Sequence, residues 1–312
     1  MVDDLGDRLA AVLGATEITA LTRLSGGASR DTWRFEADGR PLVVQCQRVG
    51  DERDMGTEIA AVRAAGAAGV PTASIVAAST DPTEMGTAYM ILTRLTGETT
   101  ARKILRDDVY SHAREVLPSQ FAAALAKIHA IDPATIPGLS DIDQVDSYRQ
   151  ALDTLGQPHP TFELALRWLD HNRPPSIGGA VVHGDFRLGN VIVGQEGLRA
   201  VLDWELVHFG DPMEDLGWLC VKAWRFGSAK PVAGVGEYRQ LFDAYETAGG
   251  VAVEPEIVRW WEVLGTLKWG IMCIMQANAH LTGTTRSHEL AAIGRRVCEN
   301  EHDLFLALEG RW

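Results

Sequence analysis

Residues 180–218 hold the stretch that most restricts the fold. An apolar run, Ala180-Val181-Val182, leads into His183-Gly184-Asp185-Phe186-Arg187-Leu188-Gly189-Asn190. A second apolar run at 191–193, a Gly194-Gln195-Glu196-Gly197 turn and a third run at 198–202 follow, and then Asp203-Trp204-Glu205. Two apolar runs around a turn with a glycine at each end predict a β-hairpin. Asn190 stands just before the outgoing strand and Asp203 just after the returning one. Antiparallel pairing therefore sets both side chains at one end of the hairpin. An amide oxygen beside a carboxylate makes an oxygen-only site suited to Mg²⁺, which takes few protein ligands and completes its shell with phosphates and water. Asp185, on the loop entering the hairpin, adds a third acidic group nearby. An Asp placed to accept a hydroxyl proton beside a divalent metal is the arrangement that phosphoryl transfer needs.

The rest of the chain divides by hydrophobic period. Residues 32–35 and 42–48 are short strand-like runs joined by Ala37-Asp38-Gly39-Arg40, whose Asp-Gly predicts a hairpin. A helix is expected over about 54–68, with Ile59 and Val62 on one face, and strands over 75–78 and 88–92 across Asp81-Pro82. After Gly97 the period becomes helical. Pro118 is expected at the first position of a helix carrying Phe121, Leu125 and Ile128, and Phe162, Leu166 and Leu169 mark another. Asp211-Pro212-Met213-Glu214 resembles a capping box, with Leu216, Leu219 and Ala223 as the buried stripe behind it. Longer helices are expected over 255–279 and 288–308. The expected fold is α+β: a small β-sheet with one helix over 1–96, and a larger, mostly helical part over 97–312.

Composition narrows the function classes. At about 150 residues per domain, 312 residues suggest two parts. Lys and Arg total 29 against 42 Asp and Glu, a net charge of −13. That argues against nucleic acid or an anionic membrane as partner, since both need a basic face. No run approaches the ~20 apolar residues of a membrane span. Met1-Val2-Asp3-Asp4 lacks the basic start of a secretion signal. Cys46, Cys220, Cys273 and Cys298 form no C-x-x-C pair, so reduced thiols and a cytoplasmic location are expected rather than zinc or disulfides.

The combination H-G-D-x-x-x-x-N followed by D-W-E resembles the catalytic and metal-binding loops of the aminoglycoside phosphotransferase and choline kinase superfamily. Its protein-kinase relatives use H-R-D-x-x-x-x-N and D-F-G. Gly210-Asp211-Pro212 and Asp215-Leu216-Gly217 are similar to that family's continuation. The resemblance implies a protein-kinase-like two-lobe fold, with a nucleotide-binding lobe over 1–96 and a helical lobe over 97–312 carrying the catalytic loop and acceptor site. It implies an ATP- and Mg²⁺-dependent phosphotransferase that moves the γ-phosphate to a hydroxyl of a small molecule. Asp185 would be the catalytic Asp, His183 a residue bracing its loop, and Asn190 and Asp203 the Mg²⁺ ligands. Asp211 is expected as a helix cap. Asp215 would brace the catalytic loop if its helix is turned as Leu216 and Leu219 suggest.

On the nucleotide side, Leu24-Ser25-Gly26-Gly27-Ala28-Ser29-Arg30 precedes a strand and is similar to the family's phosphate-covering loop. Gly26 and Gly27 let backbone N–H groups approach phosphate, and Ser29 and Arg30 add side-chain donors. The family's third strand carries a Lys or Arg that holds phosphate and pairs with a Glu on the next helix. Glu58 fits that helix, but Gln45 occupies the cation's place and Arg48 faces the other way unless a bulge shifts the register. An amide holds phosphate more weakly than a charge does, and Arg30, arriving from the loop, could compensate; Gln45→Lys is expected to tighten ATP binding unless another residue already occupies the cation position. The backbone from Thr93 to Leu95 would meet the adenine edge.

The acceptors of the superfamily are hydroxyl-bearing: aminoglycosides, choline, sugar-like compounds and hydroxyacyl groups. Trp260, Trp261, Trp269, Met272 and Met275 are expected mainly as core. If some of them line the cleft, a less polar acceptor such as a hydroxyacyl compound fits better. Gln45 also keeps open a second reading, a kinase-fold nucleotide-binding or regulatory protein without turnover.

Overall fold

The computed structural model describes residues 2–24, 30–48 and 54–311. Helix α1 (Val2–Leu13) precedes β1 (Ile18–Arg23), β2 (Arg30–Ala37) and β3 (Arg40–Gln47); α2 (Met55–Ala67), β4 (Ile75–Ser79) and β5 (Tyr89–Thr93) follow. The five strands form one antiparallel sheet in the order β1-β2-β3-β5-β4. The expected hairpin turns at Asp38 and Gly39, whose φ angles of 47° and 77° suit the left-handed turn that matches strand twist.

Strand alternation splits the sheet into two faces. Phe35, Leu42, Val44, Tyr89 and Ile91 pack on Leu9 of α1. Met90 faces α2, whose Met55, Ile59 and Val62 join the main core with Phe121, Leu125 and Ile128. Each such side chain contributes about 1.5–3 kcal/mol on burial. Asp54 caps α2 by accepting the Gly56 N–H at 2.8 Å, a cap worth ~1 kcal/mol that fixes where Glu58 enters the structure. Neither α1 nor β1 is signalled by the sequence. β1 is interrupted by a register shift and is largely exposed, so it lacks the alternation that marks a strand.

Beyond the sheet the chain runs through α3 (Ala101–Arg106), α4 (Ser111–His129), α5 (Gln144–Leu155) and α6 (Pro160–His171). Short strands β6 (Ala180–Val182), β7 (Val191–Gly194), β8 (Gly197–Val201) and β9 (His208–Gly210) come next. The chain then forms α7 (Met213–Cys220), α8 (Tyr238–Thr247), α9 (Pro255–Leu281), α10 (His288–Ile293) and α11 (Val297–Leu308). Pro118 lies inside α4 rather than at its start. Burial of Leu117 and Phe121 on either side outweighs the one backbone bond that Pro forfeits. The helix expected over 288–308 is broken by a 3-10 turn at Gly294–Arg296, where glycine weakens it. Helix α7 starts at Met213, whose N–H Asp211 accepts at 2.8 Å. Leu216 and Leu219 are buried as expected, whereas Ala223 falls in the following 3-10 turn, Lys222–Arg225. Among the described residues no helix is long and apolar enough to cross a membrane.

The segment leaving the sheet is latched onto the β7–β8 hairpin. Glu98 and Val193 exchange backbone bonds of 2.9 Å each way, and Arg199 donates to the Thr96 carbonyl at 2.9 Å. Gly97 makes that approach possible: its φ is 155°, and an added Cβ would lie 2.4 Å from Ile192 Cγ2.

Candidate active site

The hairpin does what its sequence requires. Val191 pairs with Val201, and the Leu202 N–H donates to the Asn190 carbonyl at 2.8 Å. Asn190 and Asp203 therefore flank the same end of the ribbon. The Asn190 amide nitrogen donates to the Asp185 carbonyl at 3.0 Å and to Asp185 Oδ2 at 2.5 Å. Those two bonds fix the amide's orientation and leave its Oδ1 as the spare acceptor. Asp185 Oδ1 accepts from Trp218 Nε1 at 2.8 Å and from Arg187 Nε at 3.0 Å. The Asp185 carboxylate is thus held by three donors at the head of the hairpin.

The loop beneath it is clamped from several sides. Strands β6 and β9 pair antiparallel, which brings the loop at 183–190 against the first turn of α7. Asp215 in that turn accepts the His183 N–H at 2.8 Å and the Gly184 N–H at 3.0 Å, so it braces the loop. His129 Nε2 lies 3.1 Å from the same carboxylate. Burial pushes Asp215 upward, but the bond and charge of His129 and the backbone N–H of His183 outweigh it and hold the carboxyl below its usual range. His183 Nδ1 accepts the Asp185 N–H at 3.2 Å, so its Nε2 is the proton bearer facing the Leu202 carbonyl at 3.0 Å. This pattern describes a neutral ring, and burial lowers the pKa of His183 accordingly.

Asp203 is the outlier. Its φ of 66° is left-handed, a conformation that Asp tolerates better than most residues. It makes no hydrogen bond among the described residues. Desolvation first, then the charges of Glu205, Asp185 and Glu58, push its carboxyl up to about 7. The residue is nevertheless exposed to solvent. Solvent reaching the carboxyl moderates the desolvation, so crowding by like charge sustains the rise. In the unfolded chain this group titrates near 3.8. Its cost to the fold is therefore absent below that pH and grows as pH rises through about 7. Without metal, Asp203→Asn should be more stable than the wild type at pH 8, with the gain gone by pH 4. Denaturant midpoints across that range check this, and a variant less stable at pH 8 would contradict it.

The sheet supplies a buried ion pair to the same region. Arg30, the first residue of β2, reaches Glu58 on α2 with Nη2–Oε2 at 2.8 Å and Nε–Oε2 at 3.2 Å, and both side chains are buried. The β2–β3 register is unbroken over eight pairs, with Arg30 opposite Gln47 and Thr32 opposite Gln45. Arg30 thus shares a sheet face with Gln45, one step along. No bulge turns Arg48 to that face, and it pairs with Asp31 at 3.0 Å. Gly26, Gly27 and Ser29 lie outside the described residues. Of the linker amides, Thr93 donates to Ser74 and Arg94 to Pro41, while the Leu95 N–H has no bond among the described residues.

Several participants carried no sequence signal. Trp218 and Arg187 hold Asp185, and the Arg187 guanidinium lies 4.8 Å from the Trp224 ring centroid. Trp218, Trp224, Trp269 and Met272 form one aromatic cluster beside the loop, whereas Trp260 is core. Lys222 and Ala223, from the turn that carries Trp224, help line a cavity of about 970 Å³. Arg187 stands at one of the unspecified positions of H-G-D-x-x-x-x-N, so the motif gave it no role. Trp218 was legible only once α7 had been oriented through Asp215.

The sequence profile described as "Phosphotransferase enzyme family" matches residues 20–254. Acyl-CoA dehydrogenase family member 10 of Mus musculus is 26% identical over 250 residues, which are 74% of this chain and 23% of that protein. The chain thus spans about a quarter of the curated relative's length. A candidate aminoglycoside phosphotransferase from Ralstonia eutropha shares the fold at TM-score 0.76 and 20% identity, covering 97% of this chain and 98% of that one. Aminoglycoside phosphotransferase APH(4)-Ia, in a ternary complex with ADP and hygromycin B, aligns at TM-score 0.61 and 18% identity over 96% and 98% of the two chains. The sheet, the helical body and the profile agree: this chain belongs to the phosphotransferase enzyme family and has its kinase-like α+β fold.

Proposed function

We propose that the protein is a small-molecule kinase that moves the γ-phosphate of ATP to an alcohol, with Mg²⁺ as the resident cation. The observation that carries this reading is the Asp185 carboxylate, fixed by three donors beside an Asp203 that is crowded by negative charge and makes no hydrogen bond among the described residues. In this scheme residues 1–96 hold nucleotide and residues 97–312 supply the catalytic loop and the acceptor site.

The donor set fits the metal. Among the described residues no three His, Cys, Asp or Glu side chains form a cage. Asn190 Oδ1 and the Asp203 carboxylate offer the two hard oxygens that Mg²⁺ takes from a protein while phosphates and water fill the rest. When bound there, the ion neutralises charge on the transferring phosphates. The chain's own residues do the remainder. Arg30, set by Glu58, supplies the phosphate cation that Gln45 lacks. The Leu95 N–H is offered to the base edge. The acceptor oxygen forms its bond to the γ-phosphorus as the bond to the bridging oxygen breaks and ADP leaves. The hydroxyl proton passes to Asp185 Oδ2, which carries one donor where Oδ1 carries two.

ADP in the APH(4)-Ia complex supports ATP as donor. For the acceptor, the 970 Å³ cavity is of small-molecule size. Its lining includes Lys222 paired with Asp303, Arg296 paired with Glu299 and Arg225 paired with Glu262, which leaves Arg102 as the charge without an ion pair among the described residues, so the lining holds no surplus of carboxylates. A lining without surplus acid suits a hydroxyacyl-type acceptor better than a polycationic aminoglycoside, and the likeness to an acyl-CoA dehydrogenase family member points the same way. The test is ADP release with a panel of aminoglycosides, choline and hydroxyacyl compounds. The expected result is Mg²⁺-dependent turnover stimulated by a hydroxyacyl compound and abolished by a chelator. Binding of Mg²⁺-nucleotide without turnover on any alcohol would leave a nucleotide-binding regulatory protein instead.

A further inference from the structure

Lys268, in the middle of α9, lies 84 positions from the catalytic loop and is buried. Its ammonium donates to the Gly184 carbonyl at 3.0 Å and faces Glu214 at 3.4 Å. It also lies 4.7 Å from the centroid of the Trp218 ring. Glu214 in turn meets His208 Nε2 at 3.0 Å, while His208 Nδ1 donates to the Leu206 carbonyl at 2.8 Å. Both ring nitrogens of His208 therefore donate, which describes an imidazolium. The buried carboxylate sits between two cations.

What Lys268 touches gives it a place in the reaction. Gly184 immediately precedes Asp185, and the peptide between them is held at both ends, its carbonyl by Lys268 and its N–H by His183 Nδ1. Trp218 is the residue whose indole N–H fixes Asp185 Oδ1. One ammonium thus bears on two of the groups that set the Asp185 carboxylate, the backbone behind it and the indole beside it. Of the bonds that its three N–H donors make to these neighbours, the one to the loop carbonyl is shorter than the one to Glu214. A carbonyl bound by an ammonium in a buried site is held strongly, since charge-assisted bonds are about twice as strong as neutral ones.

We propose that Lys268 is a positioning residue for phosphoryl transfer: through the Gly184 carbonyl and the Trp218 ring it holds the Asp185 carboxylate in its reactive orientation. The inference rests on Asp185 as the base of the proposed transfer.

The test separates loop order from stability. Lys268→Met removes the ammonium but strands Glu214, so misfolding of that variant alone would say little. Lys268→Met/Glu214→Gln removes both charges, and at pH 8 a His208 without its carboxylate is neutral. The double variant is expected to regain wild-type resistance to denaturant. Its amides at 183–185 should still exchange hydrogen at least ~10-fold faster than those of the wild type, because the clamped peptide has opened locally. With an acceptor in hand, kcat should fall by about 100-fold, the size of effect that an ångström of misplacement produces. KM for ATP should move by less than ~3-fold, since nucleotide contacts lie elsewhere. Wild-type exchange in the folded double variant, or wild-type kcat, would overturn the assignment. If the wild type itself turns over no acceptor, the transfer reading falls, yet the exchange measurement still decides whether Lys268 orders the loop.

Discussion

Asp185→Ala should keep the fold and lose about 10²–10⁴-fold in kcat for acceptor-dependent phosphate transfer, the range that a positioned general base contributes. The substitution also strips one acceptor from Trp218, Arg187 and Asn190, so a stability loss of ~1–3 kcal/mol is expected alongside. The two effects are separable. Asp185→Asn keeps an oxygen for the neighbouring donors but cannot take the proton, so it should recover part of the stability and none of the rate. A variant that keeps more than roughly a tenth of the wild-type kcat would show that the proton goes elsewhere.

Arg30→Ala should cost the fold ~3 kcal/mol or more, the penalty for removing one member of a buried ion pair, and weaken ATP binding as well. Gln45 shares a sheet face with Arg30, so Gln45→Lys in the Arg30→Ala background should restore much of both losses. In the wild-type background the same change adds a cation where Glu58 is already engaged, and ATP affinity should stay the same or fall. The Arg30–Glu58 pair thus reverses the tightening that the sequence alone suggests for Gln45→Lys. Calorimetric titration of each variant with an ATP analogue decides it. A tenfold tightening by Gln45→Lys alone, ~1.4 kcal/mol, would remove Arg30 from the phosphate site.

The legible part of this protein is the part that is local in sequence. His183, Asp185, Asn190 and Asp203 lie within one hairpin and its entry loop, so spacing and antiparallel pairing suffice to gather them. The bracing by Asp215 followed from the apolar stripe of its helix. The change from strand to helix period after Gly97 gave the two kinds of structure. What could not be read joins distant segments. Arg30 and Glu58 meet across 28 positions and only because β2 and α2 pack together, and Lys268 reaches Gly184 across 84. Such contacts leave no periodic trace. Pro118 misled for a related reason: its local preference for a helix start yields to the burial of the turns around it.

Binding of a non-hydrolysable ATP analogue, titrated calorimetrically with and without Mg²⁺ at pH 8, tests the central claim most directly. In the wild type Mg²⁺ should strengthen binding by at least ~10-fold, or ~1.4 kcal/mol, and Asp203→Asn and Asn190→Ala should each abolish that gain while leaving metal-free binding in place. Equal affinity with and without Mg²⁺, or an undiminished gain in both variants, would mean that the hairpin end holds no metal and that the chemistry assigned to it lies elsewhere.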